Sequence, residues 1–265
     1  MIMIILPNKD YNNPNNEKIT TYQFLASVGC PVFDSILFDE GESITKEKLK
    51  KIREILKSEY CTIRYQYVRP SINPIRGGNK SKIDFEELKN KQIYGTQMWL
   101  LQPIDRTKNL FGINMYVNRS QNSLIIESVG RGFDVSDLNR GDISPQEIIM
   151  FNYPVEYGWQ NEWWKYIKLN FVNQQQFEQD KLIRITKLKK FGLDPSENIF
   201  DKKFVPLDYS LIERLLNHIN YIDTAWDKSN DYIVSISMNA DGKLVFWDIQ
   251  TPLGKSKILR RAKWI

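Results

Sequence analysis

Lys18-Ile-Thr-Thr-Tyr-Gln-Phe-Leu-Ala-Ser-Val28 runs into Gly29-Cys30-Pro31-Val32-Phe33, and Cys61-Thr62-Ile63-Arg64-Tyr65 follows one helix later. The helix between them announces itself by spacing. Thr45 is a capping residue, and Leu49, Ile52, Ile55 and Leu56 recur at helical intervals with lysines between them, over about Lys46 to Lys57. The period then changes. Cys61, Ile63, Tyr65 and Tyr67 alternate with Thr62, Arg64 and Gln66, so a strand buries one face and points Arg64 out of the other. An arginine so placed is either solvated or looks into a cleft, and its position after Lys18 favours the cleft.

Working outward, Ser71 to Lys80 reads as a loop with Gly77 and Gly78 between Arg76 and Lys80. Adjacent glycines let backbone amides approach an anion, although a plain basic turn has the same composition. Met98-Trp-Leu-Leu-Gln-Pro-Ile104 is an apolar strand, and Phe111, Ile113, Met115 and Val117 alternate with Gly112, Asn114, Tyr116 and Asn118. Together they predict a hairpin. Leu124 to Pro145 carries Gly130, Gly132, Val135 and Gly141 behind an apolar strand. Tyr232-Ile-Val-Ser-Ile-Ser-Met238 and Lys243-Leu-Val-Phe-Trp-Asp-Ile-Gln-Thr-Pro252 flank an Asn-Ala-Asp-Gly turn, a strong hairpin signal.

In order and spacing these segments resemble the nucleotide-binding domain of the pyruvate phosphate dikinase and phosphoenolpyruvate synthase family, an ATP-grasp fold. That family has a lysine opening a helix that ends in Gly-x-Pro-Val-Pro; Phe33 stands here for the second proline. The resemblance covers about Lys18 to Pro252 and implies a two-lobed α+β domain with antiparallel sheets and flanking helices. An N-terminal lobe would span 1–95 and a C-terminal lobe 96–265, with an unmatched aromatic and basic insertion at about 151–205. It implies ATP and Mg2+ as cofactors. Lys18 and Arg64 would neutralise the transferring phosphate, and Gly77, Gly78 and Lys80 would lie over the phosphates. Leu101, Gln102 and Ile104 would form the adenine hinge, and Asp248 would hold the metal. Where the family has a metal-binding Glu and Gln and a phosphate-binding Arg, this chain has Ser235, Asp248 and Gln250.

Composition bounds the alternatives. At 265 residues the chain forms one large domain or two small lobes. Its single histidine, His218, sits at the edge of the stripe Leu211, Ile212, Leu215, Leu216, Ile219 and Ile222, behind a capping box read at Ser210 and Glu213. One histidine excludes a histidine metal cluster and a Ser-His-Asp triad. Two cysteines, Cys30 and Cys61, make neither a disulfide framework nor a zinc site and read as buried thiols. Met1 to Pro7 is apolar but short for a signal peptide, and no stretch would span a bilayer, so a cytoplasmic protein without a membrane partner is expected. The formal charge of +5 is mild. Nucleic acid is therefore the less favoured partner, although aromatics over 157–166 and the basic run Lys181 to Lys190 would suit it. A hydrophobic staple between lobes with a solvated basic rim is the favoured reading of that stretch.

The functional expectation is a stand-alone enzyme that binds ATP and magnesium and transfers phosphate, or ligates, to an acceptor supplied from outside or a separate phosphohistidine protein. The alternative is a degenerate module that binds a nucleotide, a partner protein or nucleic acid without turnover, and Ser235 and Gln250 favour it.

Overall fold

The computed structural model describes residues 18–33, 35–38, 43–57, 60–67, 78–84, 86–88, 97–103, 109–152, 166–170, 174–190, 200, 205–226 and 231–250. The expectations for Met1 to Pro7, Gly77, Ile104 and the aromatic stretch 157–165 lie outside the described residues. The chain is an α+β protein whose paired strands are antiparallel, as expected. It divides into two compact units, one of residues 1–24 and 32–105 and the other of 25–31 and 106–265.

The first unit holds β1 (Ile36–Phe38), α2 (Lys46–Leu56), β2 (Tyr60–Tyr67), β3 (Gly78–Lys82) and β4 (Gln97–Pro103). Its four-stranded sheet has the order β1-β4-β2-β3. Helix α2 starts where the periodicity places it, with the Thr45 side chain accepting from the Lys48 amide at 3.2 Å. Leu49, Ile52 and Leu56 then pack with Ile36, Phe38, Cys61, Ile63, Ile83, Leu88 and Leu101 in one apolar cluster. Each such side chain contributes about 1.5–3 kcal/mol by leaving water, which fixes α2 on one face of the sheet. Arg64 alternates to the other face, as expected.

The second unit contains β5 (Phe111–Asn118), β6 (Ser123–Val129), α3 (Val135–Arg140), β7 (Glu147–Asn152), β8 (Tyr166–Asn170), α4 (Gln174–Lys190), α5 (Tyr209–Ala225), β9 (Tyr232–Met238) and β10 (Leu244–Gln250). Its six-stranded sheet runs β10-β9-β5-β6-β7-β8. The last hairpin forms as read: Asn239 Oδ1 accepts from Asp241 N at 3.1 Å and Lys243 N at 2.9 Å, and Gly242 takes a positive φ of 73°. The hairpin expected from 98–117 does not form. β4 pairs with β1 and β2 in one sheet, whereas β5 pairs with β6 and β9 in the other. Both strands were read correctly, but they pair with more distant partners.

Helix α1 (Lys18–Ser27) ends at Gly29, whose φ is 80°. Gly29 N donates to Ala26 O and Cys30 N to Leu25 O, which closes the helix before Pro31. The Pro31 carbonyl accepts from Phe246 N at 2.7 Å, two residues before Asp248. On α5 the capping group is Asp208, which accepts from Leu211 N at 2.7 Å, and not the expected Ser210. Asp208 reaches the first free amides of the helix, whereas Ser210 already lies within it. Leu211, Leu215, Leu216, Ile219 and Ile222 are buried as their spacing required.

Candidate functional site

In the first unit the antiparallel register gathers several of the expected residues on one sheet. Arg64 is paired with Gly78 and Leu100, and Thr62 with Lys80 and Gln102. Arg64 Nε donates to Gln102 Oε1 at 2.6 Å, and Gln102 Nε2 donates to Ser35 Oγ at 3.4 Å. Ser35 Oγ lies 2.8 Å from the Tyr22 hydroxyl, which also donates to the Phe33 carbonyl. This buried polar chain, Arg64–Gln102–Ser35–Tyr22, ties the sheet to α1, the helix that Lys18 opens. Next to it Thr62 Oγ1 is buried and has no hydrogen-bond partner among the described residues, a state that costs free energy unless something donates to it or accepts from it. Leu101 points the other way, into the cluster beneath α2.

In the second unit a row of polar side chains crosses the sheet. Asp248 on β10 is paired with Ser235 on β9, Ser235 with Asn114 on β5, and Asn114 with Glu127 on β6. Residues directly opposite each other on antiparallel strands share a face, so these four stand side by side. Asn114 is 0% exposed, Glu127 1%, Ser235 2% and Asp248 6%. On the same face, Tyr116, Ile125, Ile148 and Ile233 form an apolar cluster beside the row. Asp248 reaches this face because of a β-bulge between Phe246 and Asp248. Phe246 opposes Ile236, so an unbulged count would set Asp248 against Val234 on the reverse face. The extra residue re-aims it.

Helix α3 closes one end of the row. It packs on β5, β6 and β9, and a Cβ on Gly112 would stand 2.8 Å from Val135 N, so only glycine permits the contact. From α3, Asn139 Nδ2 donates to Ser235 Oγ at 2.8 Å, and Ser235 Oγ donates to Asn114 Oδ1 at 3.2 Å. Asn114 Nδ2 is buried without a hydrogen-bond partner among the described residues. A buried amide donor with no acceptor costs free energy, and an oxygen atom of a ligand or of water would satisfy it.

The donor set suits a hard cation. Asp248 offers a carboxylate and Ser235 a hydroxyl, and magnesium is commonly held by one or two carboxylates, with phosphate oxygens and water completing the shell. Among the described residues no three His, Cys, Asp or Glu side chains form a self-sufficient cage. Glu127 is three strands from Asp248, about 14 Å at the usual strand spacing, too far to share one ion with it.

Lys18 opens α1, and Gly78 and Lys80 lie on β3. Sequence reading missed Ser35, Thr62, Asn114, Glu127 and Asn139. For Glu127 a signal was present, since it interrupts the apolar run of its strand, whereas Asn114 falls among the alternating positions of β5. Nothing local marks Asn139, whose role depends on where α3 docks.

No protein-family model matches the chain. An uncharacterized protein of Rickettsia prowazekii (strain Madrid E) is 40% identical over 58 residues, 22% of this chain and 59% of that protein. Among solved structures, N5-carboxyaminoimidazole synthetase from Staphylococcus aureus complexed with ADP is similar at TM-score 0.43 and 10% identity, over 91% of this chain and 45% of that one. L-amino acid ligase from Bacillus licheniformis is similar at TM-score 0.40 and 12% identity, over 96% of this chain and 45% of that one. D-alanyl-alanine synthetase A from Vibrio cholerae is similar at TM-score 0.39 and 10% identity, over 92% of this chain and 57% of that one. The chain thus spans about half the length of these three structures.

Proposed function

We propose that this chain is an ATP-grasp-like protein that binds ATP with magnesium and passes the phosphate, or the activation it provides, to a separate acceptor. The observation that carries the proposal is the buried row Asp248–Ser235–Asn114–Glu127 with its unsatisfied Asn114 amide. The row sets a carboxylate, a hydroxyl and an amide donor unmatched among the described residues side by side, groups that a polar ligand would meet.

Asp248, with the Ser235 hydroxyl, would hold the metal, whose chemistry is to neutralise phosphate charge. In the first unit Arg64 is oriented by Gln102, and with Lys18 and Lys80 it would meet phosphate oxygens, while Gly77 and Gly78 leave the backbone open to them. Gln102 and Ile104 would border the adenine, and Leu101 would anchor that strand from the core. Phosphoryl transfer asks chiefly for positioning and charge neutralisation, so this small set is chemically sufficient.

A second reading has a specific observation behind it. Ser235, where the resembled family has a metal-binding Glu, is already engaged by Asn139 and Asn114. A module that binds nucleotide without turnover would tolerate this. Magnesium-dependent release of ADP or phosphate from ATP separates the two. An active enzyme should lose about 100-fold or more in rate on Asp248→Asn, the scale set by removing one preorganised electrostatic group. Absence of turnover with any acceptor, together with intact ATP binding, would leave the module.

A further inference from the structure

The basic run Lys181 to Lys190 is only in part the solvated rim its composition suggested: Lys189 and Lys190 are exposed, but Arg184 and Lys187 are not. On α4 it carries Arg184, 1% exposed, and Lys187, 26% exposed. Both meet Asp137 of α3, which is itself 0% exposed. Arg184 Nη1 donates to Asp137 Oδ2 at 3.0 Å and Lys187 Nζ to Asp137 Oδ1 at 3.0 Å, and Arg140 Nη2 donates to the same Oδ1. Arg184 Nε reaches the Gly132 carbonyl at 3.3 Å, and its Nη2 lies 3.5 Å from Asp134 Oδ2. Lys187 Nζ and Arg140 Nε both reach Asp142 Oδ2, at 2.6 and 2.8 Å. Three carboxylates thus face three cations around a helix of six residues.

So short a helix is not held by its own propensity. It ends at Gly141, in a left-handed conformation with φ of 66°, and its place is set by what grips it. Positions 137 and 139 are two residues apart, about 200° around a helix axis. Asp137 accordingly turns to α4, and Asn139 turns to the sheet and donates to Ser235. The ionic cluster and the polar row are opposite sides of the same helix.

We propose that Lys187, Arg184 and Arg140 are positioning residues for the polar row. By clamping Asp137 they set the placement of α3, and thereby the Asn139–Ser235–Asn114 chain beside Asp248. The proposal rests on the polar row being the magnesium–nucleotide site, but its first test needs no ligand. Side-chain amide resonances of Asn139 and Asn114 are compared in the wild type, Lys187→Met, Arg140→Met and the control Lys189→Met, an exposed cation of the same helix. Lys187 and Arg140 are partly exposed, so the variants keep their apolar stems packed while the charged heads are removed. Both network variants should shift or broaden the two amides and the control should not. Unmoved amides in Lys187→Met and Arg140→Met would overturn the proposal whatever the protein binds.

The second arm is calorimetry with ATP and magnesium. Lys187→Met should weaken binding about fivefold to tenfold, and its effect should vanish in the background of Asn139→Ala, because the two residues act along one path. Wild-type affinity in Lys187→Met, with only the melting temperature lowered, would make the network purely structural and overturn the proposal. Moving amides in a wild type that binds no ATP would instead sink the nucleotide assignment and leave the positioning chain standing.

Discussion

At the scale of single residues, the structure separates glycines that are needed for space from those needed for conformation. Gly132 has a φ of 88°, and a Cβ there would meet the Phe200 ring at 2.5 Å. Phe200 is itself held edge-on to Phe133 with centroids 5.1 Å apart, so it has little room to yield. Gly29 has a φ of 80° but nothing within 4 Å of a built Cβ. Gly132→Ala should therefore cost about 2–4 kcal/mol, combining the left-handed penalty with overpacking, and Gly29→Ala only about 1–2. Urea unfolding checks this, and equal losses in the two variants would contradict the packing at Gly132. His218 provides a pH-dependent counterpart. Burial, with the Arg214 charge near it, holds the imidazole below its usual value of about 6.5. The unfolded chain then binds the proton more readily, so stability rises with pH towards neutrality and falls as the pH drops beneath that value. His218 sits edge-on to Phe246 at 5.0 Å, and His218→Phe keeps that packing. Unfolding midpoints at pH 5.5 and 7.5 should differ in the wild type and converge in the variant. An unchanged difference would show that another group titrates.

At the scale of elements, the β10 bulge decides which face Asp248 serves. Deleting Trp247 should remove the bulge and leave Asp248 opposite Ser235, on the same face. The Trp247 indole donates to Ser237 at 2.7 Å and is buried, so a loss of stability is expected. Magnesium-dependent ATP affinity should nevertheless be retained in a variant that still gives a cooperative unfolding transition. Affinity lost in such a variant would contradict the register with Ser235 as what places Asp248. Elements with strong periodicity were legible in the sequence. Leu49, Ile52 and Leu56 defined α2, and the Asp-Gly turn defined the β9–β10 hairpin. Pairing was not legible between β4 and β5, because an apolar strand says which face it buries and not which strand lies beside it. Helix α3 was hidden for a different reason: its six residues offer only Val135 and Leu138 as an apolar pair, too short a pattern to stand out, and ionic contacts with α4 help to hold it. The same contacts explain why Lys181 to Lys190 was taken for a basic rim, since composition does not show that Arg184 and Lys187 have carboxylates waiting for them.

At the scale of the whole molecule, each of the two units presents a polar sheet face opposite an apolar one. In the first, the buried chain from Arg64 to Tyr22 and the unsatisfied Thr62 hydroxyl mark the face away from α2. In the second, the row from Asp248 to Glu127 marks the face on which α3 docks. Sequence reading placed Arg64 on its face by strand alternation and singled out Asp248 through a resemblance of motif order, without its face. It missed the neutral partners, Thr62, Asn114 and Asn139, because neutral side chains in strands and short helices carry no compositional mark of function. The central claim is that this chain binds ATP with magnesium. Calorimetric titration of ATP, with and without magnesium, into wild type and the Lys18→Ala/Arg64→Ala double variant tests it most directly, with circular dichroism confirming the fold of each. Magnesium-enhanced binding by the wild type, lost in the double variant, is the predicted result. A folded wild type that takes up no ATP under either condition would contradict it.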